Sequence, residues 1–442
     1  MSNLYDTPFG EIEGIQYTSV GEHVNFLTGP AFDSSQFDED GGTYRLVRGI
    51  NITKGKTRWA KSNTMYWDRM TPDLEKYQLK EDDILIGMDG SLVGRNFALI
   101  TQEDLPSLLV QRVARLRTEG EVNTRFLYQL FASDVWLSYV DIVKTNSGIP
   151  HISNGDIKEF KFHNFSIKQQ QKIASILSTV DNLIDQTQKL IDKYTAVKQG
   201  MMADLFSRGI DLSGTPETNK SYGQLRPSYK DAPELYQETE IGWVPLDWTF
   251  NQLGSYIEKY LYGPRFDASM YSEYGNVKTI RGTDFSKQGD IKYEQVPLAE
   301  IPFPKIRHHI LKDGDLVVVT TADCGLTAVY EEQSSDYIPS AYAVKIKLTD
   351  DANPYFIKAY MQTFLAETQV NKYVRQGTLG NLPGSDILRF HIALPSLKEQ
   401  KAMVERLNSI DKLIEKEKQY VEKLKLKKKG LMQDLLTGKV KV

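Results

Sequence analysis

The sequence predicts an α+β protein in which two pseudo-two-fold-related globular domains are separated by two long antiparallel helices forming a coiled coil. Three features predict it: a gapless internal duplication, a long apolar stripe at helical spacing in each copy, and a looser repetition of strand-and-turn segments ahead of each stripe. With 442 residues, 40% of them hydrophobic and 25% charged, the chain can bury more than one core.

The first globular domain is expected over residues 1–162. Its marks are Gly29-Pro30-Ala31-Phe32-Asp33, Tyr44-Arg45-Leu46-Val47-Arg48-Gly49 and the charged turn with apolar strand Leu79-Lys80-Glu81-Asp82-Asp83-Ile84-Leu85-Ile86. A spacer helix follows over 163–207. Ile173, Ile176, Val180, Leu183, Leu190, Tyr194, Val197 and Met201 recur at alternating three- and four-residue steps, with Thr187 the one polar member, which is the pattern of a coiled-coil seam. About 40 residues at about 1.5 Å each make a rod of about 60 Å. Residues 208–240, rich in Gly, Pro, Ser and polar side chains, read as a linker.

The second globular domain, 241–393, repeats the marks of the first: Gly263-Pro264-Arg265-Phe266-Asp267, Val277-Lys278-Thr279-Ile280-Arg281-Gly282 and Leu311-Lys312-Asp313-Gly314-Asp315-Leu316-Val317-Val318. Between these shared pieces, at 51–70 and 283–306, the halves have little in common, as expected of one framework carrying two different readers. The second spacer helix, 394–442, aligns with the first at one constant offset and without a gap: Asp181-Asn182-Leu183-Ile184 with Asp411-Lys412-Leu413-Ile414, and Gly200-Met201-Met202-Ala203-Asp204-Leu205 with Gly430-Leu431-Met432-Gln433-Asp434-Leu435. Its stripe is Met403, Ile410, Leu413, Tyr420, Leu424 and Leu431; Arg406 and Lys427 interrupt it, with Leu407 and Leu426 beside them. Two copies of one helix in one chain can pack about a local two-fold axis, which would carry the preceding domains to opposite ends.

A net charge of −4 neither requires nor excludes a polyanionic partner, because cations can gather on one face. The segment 396–442, with 13 Lys or Arg against 7 Asp or Glu, is the most basic. The single cysteine, Cys324, leaves no internal disulfide and no cysteine-rich zinc site. The first 25 residues include Asp6, Glu11, Glu13 and Glu22 without an apolar signal core, and no run of about 18 apolar residues occurs; a cytoplasmic protein without membrane contact is expected.

No catalytic pattern is complete. Asn353-Pro354-Tyr355-Phe356 lacks the second proline of an amino-methyltransferase tetrad, and its counterpart at the same offset in the first half is Asn123-Thr124-Arg125-Phe126, so both read as helix N-caps. Gly49-Ile50-Asn51-Ile52-Thr53-Lys54-Gly55-Lys56-Thr57 puts five residues, not four, between the glycines of a phosphate loop. His308 and His309 are adjacent and lack a zinc-ligand pattern.

These features together resemble the specificity subunits of type I restriction-modification systems, and the likeness covers nearly the whole chain. It is carried by Ile241-Gly242-Trp243-Val244-Pro245-Leu246-Asp247-Trp248, Ile280-Arg281-Gly282-Thr283-Asp284, Leu394-Pro395-Ser396-Leu397-Lys398-Glu399-Gln400 and Gly430-Leu431-Met432-Gln433-Asp434-Leu435-Leu436-Thr437-Gly438. The first half departs at Phe165-Ser166-Ile167-Lys168-Gln169-Gln170, which lacks the proline and the glutamate. The resemblance implies a non-catalytic subunit whose two target-recognition domains each read half of a bipartite site in double-stranded DNA. Its paired helices would fix the gap and dock two methyltransferase (modification) subunits, to which restriction or translocase subunits add in systems that cut. S-adenosylmethionine, ATP and Mg²⁺ would belong to those partners, with no cofactor or metal on this chain.

On that resemblance, polar and cationic residues of the variable parts and nearby turns become candidate DNA contacts. In the first domain they are Tyr44, Arg48, Asn51, Lys54, Lys56, Arg58, Lys61, Ser91, Arg95, Lys144 and Asn146, with Trp59 as an aromatic platform. In the second they are Tyr262, Arg265, Lys278, Arg281, Thr283, Lys305, Arg307, Thr321, Arg375, Gln376 and Thr378. The glycine-bearing turns 88–95 and 320–325 suit either a close approach to a groove or ordinary hairpins. A duplicated protein-binding scaffold with a coiled-coil spacer is the competing reading of the same architecture.

Overall fold

The computed structural model describes residues 7–120, 122–145 and 148–442. The chain divides into two compact units, one running to Leu190 and including Glu417–Val442, the other comprising Ile191–Lys416. Helices Ile167–Arg208 and Leu397–Leu436 each contribute a segment to both units.

In the first unit a five-stranded sheet has the order Val24–Thr28, Val113–Thr118, Ile84–Gly87, Phe97–Leu99, Lys54–Gly55. A three-stranded sheet, Tyr66–Trp67, Tyr44–Val47, Ser107–Leu109, accompanies it. Alternation along a strand sends successive side chains to opposite faces. Ile84 and Ile86 therefore join one core with Phe126, Trp136 and Phe160, while Leu85 joins another with Val47, Ile52 and Leu109. The second unit repeats the plan: Ile257–Tyr262, Ala343–Leu348, Leu316–Val319, Thr327–Val329 form one sheet, and Leu298–Ala299, Val277–Ile280, Tyr337–Pro339 the other. Leu316 and Val318 enter one core, Val317 and Val319 another.

The repeated charged turn has a shared role. The Asp83 carboxylate accepts the Lys80 amide at 2.7 Å, and Asp315 accepts that of Lys312 at 2.7 Å. Each is also ion-paired from the neighbouring strand, Asp83 with Arg117 at 2.7 Å and Asp315 with Lys345 at 2.9 Å. The repeated glutamine at the head of each long helix is a fastening. Gln170 accepts the Asn123 amide at 2.8 Å and donates to the Phe165 carbonyl at 2.8 Å; Gln400 does the same for Asn353 at 2.7 Å and Pro395 at 2.8 Å. Asn123 and Asn353 in turn accept the Phe126 and Phe356 amides, the N-caps expected of them.

Within each unit the two long-helix segments run antiparallel. In the first, Ile173, Ala174 and Leu177 share a core with Met432, Leu435 and Leu436, and Lys428 pairs with Asp181 at 2.7 Å. In the second, Leu205 and Phe206 share a core with Met403 and Leu407, and Lys198 pairs with Asp411 at 2.7 Å. The second ion pair is the first with the roles of the two helices exchanged across the internal repeat.

The seam differs from the sequence expectation at every second position. Ile173, Val180, Met403, Leu407, Ile410 and Leu424 are buried, and Tyr194, Met201 and Leu431 are half-buried. Leu183, Val197, Leu413 and Tyr420 are exposed, while Ile176 and Leu190 lie only half-buried. Their places are taken by the residues one step on: Leu177, Ile191, Ile414 and Val421 are buried, and Ile184 half-buried. The seam is thus a heptad repeat stepping four then three from Ile173, whereas the stripe read from sequence steps three then four. One residue turns a side chain about 100° around a helix axis, since 3.6 residues make a turn. Apolar residues stand at both choices, so periodicity alone does not decide between them. At Val197 and Lys198 the apolar choice misleads, because Lys198 is the one held to Asp411.

The segment between the long helix and the second domain is docked, not free. Ile210, Arg226, Ala232 and Tyr236 are buried in the second unit. Arg226 reaches Glu399 through Nη1 at 2.5 Å and Nη2 at 3.0 Å, and Asp247 at 2.6 Å; the Ile210 amide and Trp248 Nε1 donate to the same Glu399 at 2.7 and 3.3 Å. Burial opposes a charge on Arg226, but Glu399 and Asp247 outweigh it and hold its pKa above the ordinary value. Gln169, which stands where Glu399 does in the repeat, caps its own helix by accepting the Ser166 amide at 3.1 Å.

Candidate nucleic-acid interface

Three loops converge at one place in each unit, and the same backbone hydrogen bonds join them. In the first unit the Met88 amide donates to the Arg112 carbonyl at 3.0 Å, Gly90 to Pro150 at 3.0 Å and Ile152 to Met88 at 3.0 Å. In the second, Thr320 donates to Tyr342 at 2.9 Å, Ala322 to Gly380 at 3.0 Å and Leu382 to Thr320 at 2.8 Å. Asp89 bridges to His151 as Thr321 bridges to Asn381. Gly94 and Gly325 sit at φ +73° and +86°, where a Cβ would strike Val140 and Val370, so packing already requires glycine at these two turns.

In the first unit the loops border a cleft of about 490 Å³ whose lining includes Arg48, Ile50, Asp89, Gln111, Arg112 and Ile149. Burial lowers the pKa of Arg48, and its Nη2 donates to the Asn63 carbonyl at 2.7 Å. The equivalent residue, Arg281, is instead clamped by a carboxylate: its Nη2 and Nε lie 2.8 and 3.1 Å from the two oxygens of Asp284, which hold its pKa up against partial burial. Asn51 occupies the place of Asp284, so the first domain keeps a cation where the second has a neutralised pair. Asp89 is flanked by His151 Nδ1 at 2.5 Å and by Arg112 Nε at 3.3 Å.

The other candidates scatter. Asn51 is fully buried and its amide donates to the Arg58 and Asn63 carbonyls, a framework role. Tyr44 is half-buried on its strand; Lys54, Arg58, Lys61, Ser91 and Arg95 are exposed. Lys56 pairs with Asp185 of the long helix at 3.1 Å, and Lys144 with Asp141 at 2.5 Å. Asn146 lies outside the described residues. Trp59 is no open platform: Arg45 lies over its ring at 4.7 Å and its Nε1 donates to Asp104 at 2.8 Å. In the second unit the Tyr262 hydroxyl accepts the Gly384 amide at 2.5 Å, and Lys278 lies 5.2 Å from the Tyr337 ring centroid. Thr321 is half-buried at the loop crossing; Arg375 is 3.8 Å from Asp386, while Gln376 and Thr378 are exposed nearby. Arg265, Thr283, Lys305 and Arg307 lie on other segments, all four exposed. Burial lowers the His309 pKa.

Arg112, His151, Tyr342 and Asn381 are the residues that sequence reasoning missed. Their one signal was position: Arg112 and Tyr342, related by the same offset as the helices, each immediately precede a matching framework strand beginning Val113-Ala114 or Ala343-Val344. The loop Gly49–Asn51 leads into the short strand Lys54–Gly55 and not into a helix, so it has no phosphate-loop geometry. Among the described residues no three His, Cys, Asp or Glu side chains form a metal-binding group, and no helix is long and apolar enough to cross a membrane.

Comparison with known proteins places this geometry. The family described as "Type I restriction modification DNA specificity domain" matches residues 13–195 and again 245–426. The MjaVIII type I restriction enzyme specificity subunit of Methanocaldococcus jannaschii is 28% identical over 384 residues, covering 82% of this chain and 80% of that protein. The EcoAI specificity subunit of Escherichia coli is 35% identical over 188 residues, 42% of this chain and 31% of that protein. The crystal structure of a type I restriction-modification S subunit from M. genitalium shares the fold at a TM-score of 0.56 and 13% identity, over 97% of this chain and 99% of the other.

Proposed function

The chain belongs to the family of type I restriction-modification DNA specificity domains, and on that premise we propose that it reads a bipartite double-stranded DNA sequence, one half-site per domain. It is a specificity subunit and not a catalytic one, as its relatives are named. In this reading methylation and cleavage are performed by partner subunits, which also carry S-adenosylmethionine, ATP and Mg²⁺, and the assembly works in the cytoplasm.

One observation carries the proposal: the same loop crossing recurs on the same backbone hydrogen bonds in both units, with different side chains at equivalent places. A constant frame with exchanged polar heads suits two readers of unlike sequence. The long helices supply the docking surface for two modification subunits. Leu183, Tyr420 and Leu426 in the first unit, and Val197 and Leu413 in the second, leave the seam and face solvent, giving apolar contact area outside the helix pair.

The test is methylome sequencing of cells carrying this chain with its modification subunits, joined to duplex binding at graded salt. The expected result is one bipartite motif and affinity that falls linearly on a log–log salt plot. Methylation with no shared motif, or binding that ignores DNA sequence, would favour the protein-binding scaffold.

A further inference from the structure

Resting on that reading, we infer that Arg112 reads a guanine of the first half-site, with Asp89 and His151 as its positioning residues, and that Tyr342 and Asn381 replace this device in the second domain.

Arg112 stands at φ +65°, a left-handed conformation that a long side chain rarely adopts. Its carbonyl accepts the Met88 amide at 3.0 Å; Tyr342 accepts the Thr320 amide in the same way without a left-handed φ, so the conformation is particular to Arg112. Such strain at an exposed polar residue is the sort that persists where a site needs a side chain aimed in one direction. The Arg112 side chain is 66% exposed, and its Nε faces Asp89 Oδ2 at 3.3 Å. Asp89 is itself only 20% exposed and is held on its other oxygen by His151 Nδ1 at 2.5 Å. The two terminal nitrogens of Arg112 make no hydrogen bond among the described residues and form a planar fork at the cleft that Arg48 also lines. A guanidinium with an ion-pair partner beside its Nε still presents two parallel donors, and among base edges in the major groove guanine O6 and N7 match two donors.

A phosphate would also accept that fork. The second unit argues for base reading. A phosphate contact is independent of sequence, so both domains would be expected to keep a cation at the equivalent place. Instead Arg112 becomes Tyr342, 65% exposed, Asp89 becomes Thr321 and His151 becomes Asn381, on unchanged backbone bonds. The aspartate that aims the arginine disappears together with the arginine. That joint exchange fits a unit of readout.

The experiment uses the full chain co-expressed with its modification subunits and read by methylome sequencing. Arg112→Ala, Arg112→Tyr and Asp89→Asn are compared with Lys80→Ala, an exposed cation of the first unit outside the crossing. Arg112→Ala is expected to leave the second half-site intact and to relax one guanine of the first, with preference there falling about 10- to 100-fold. Asp89→Asn should relax the same position less, because the arginine remains but is no longer aimed. An unchanged motif in the Arg112 variants, or a uniform loss of methylation at all sites with the motif retained, overturns the inference in favour of a phosphate contact or none. If the unaltered chain yields no bipartite motif, the functional reading itself fails, a result distinct from either. A thermal melt of each variant like that of the parent shows that the domain has folded.

Discussion

Replacing Glu399 by alanine should release the segment between the first long helix and the second domain. The carboxylate is 3% exposed and receives Arg226 twice, the Ile210 amide and Trp248 Nε1. Breaking a buried pair by removing one partner costs about 3–5 kcal/mol, because the other charge is left without compensation. Here Asp247, exposed and 2.6 Å from Arg226, remains as a second partner, which puts the expected loss near the lower end, about 3 kcal/mol. At about 1.4 kcal/mol per tenfold, local opening of residues 209–236 becomes over a hundred times more frequent. Glu399→Gln keeps the shape and one acceptor for Ile210 but loses the charge, so about 1–2 kcal/mol is expected. Gly209 supplies an independent probe: at φ +62° its Cβ would meet Glu399 Oε1 and the Trp248 ring, so Gly209→Ala should open the same clasp with the glutamate in place. The assay is native-state proteolysis, with cleavage between Asp211 and Leu235 followed by mass spectrometry. Opening is a local event, so its free energy is read without assuming that the whole chain unfolds in one step. Cleavage of Glu399→Ala within about threefold of the parent would refute the argument, since no buried charge of that kind could then have been uncovered.

Three further outcomes follow from the packing. Leu177→Ala, in the core shared with Leu435, should lower stability by about 2–5 kcal/mol in chemical unfolding, whereas Leu183→Ala, exposed on the same helix, should change it by less than about 0.5 kcal/mol. Asp104 accepts Thr57 Oγ1 at 2.5 Å, Trp59 Nε1 at 2.8 Å and the Thr101 amide at 2.8 Å; burial works against its charge, yet these donors hold its pKa below the ordinary carboxylate value. Its stabilisation is therefore complete above the unfolded pKa of about 3.9 and lost as pH falls through the lower folded value, so Trp59 fluorescence should change on acidification in the parent and already at neutral pH in Asp104→Asn. Inserting seven residues after Lys193 and seven after Lys423 keeps the heptad register and adds about 10 Å to each helix, so the mapped gap between half-sites should lengthen by about 3 base pairs; an unchanged gap would show that the helices do not set it.

The duplication made most of the fold legible, because one constant offset, that from Asp181 to Asp411, aligns the helices position by position and needs no structural knowledge. The seam was harder. At 176/177, 183/184 and 190/191 both neighbours are apolar, and the chain uses the second of each pair for the helix partner while leaving Leu183 and Leu413 outside. A sequence pattern records that a position is apolar, not which surface it must satisfy, and a helix with two apolar surfaces writes both in the same letters. Lys198 and Lys428 hid the register from the opposite side, since a lysine whose stem packs and whose ammonium meets an aspartate across the pair reads as a surface residue.

The candidate site was legible in its loops and illegible in its side chains, for one physical reason. Searching for Lys and Arg finds charge, but a cation in a loop can be spent on the protein itself, as Arg281 is on Asp284, Lys56 on Asp185 and Lys144 on Asp141. A readout residue is marked by what holds it still while its head stays free, and that information lies in backbone contacts between segments well separated along the chain, such as Met88 with Arg112 and Asp89 with His151. Comparing the two halves of this chain recovers part of it. Where the framework bonds match and the side chains differ, as at 89/321, 112/342 and 151/381, the backbone frame does not depend on which side chain is present, and those positions are the ones the proposed readout uses.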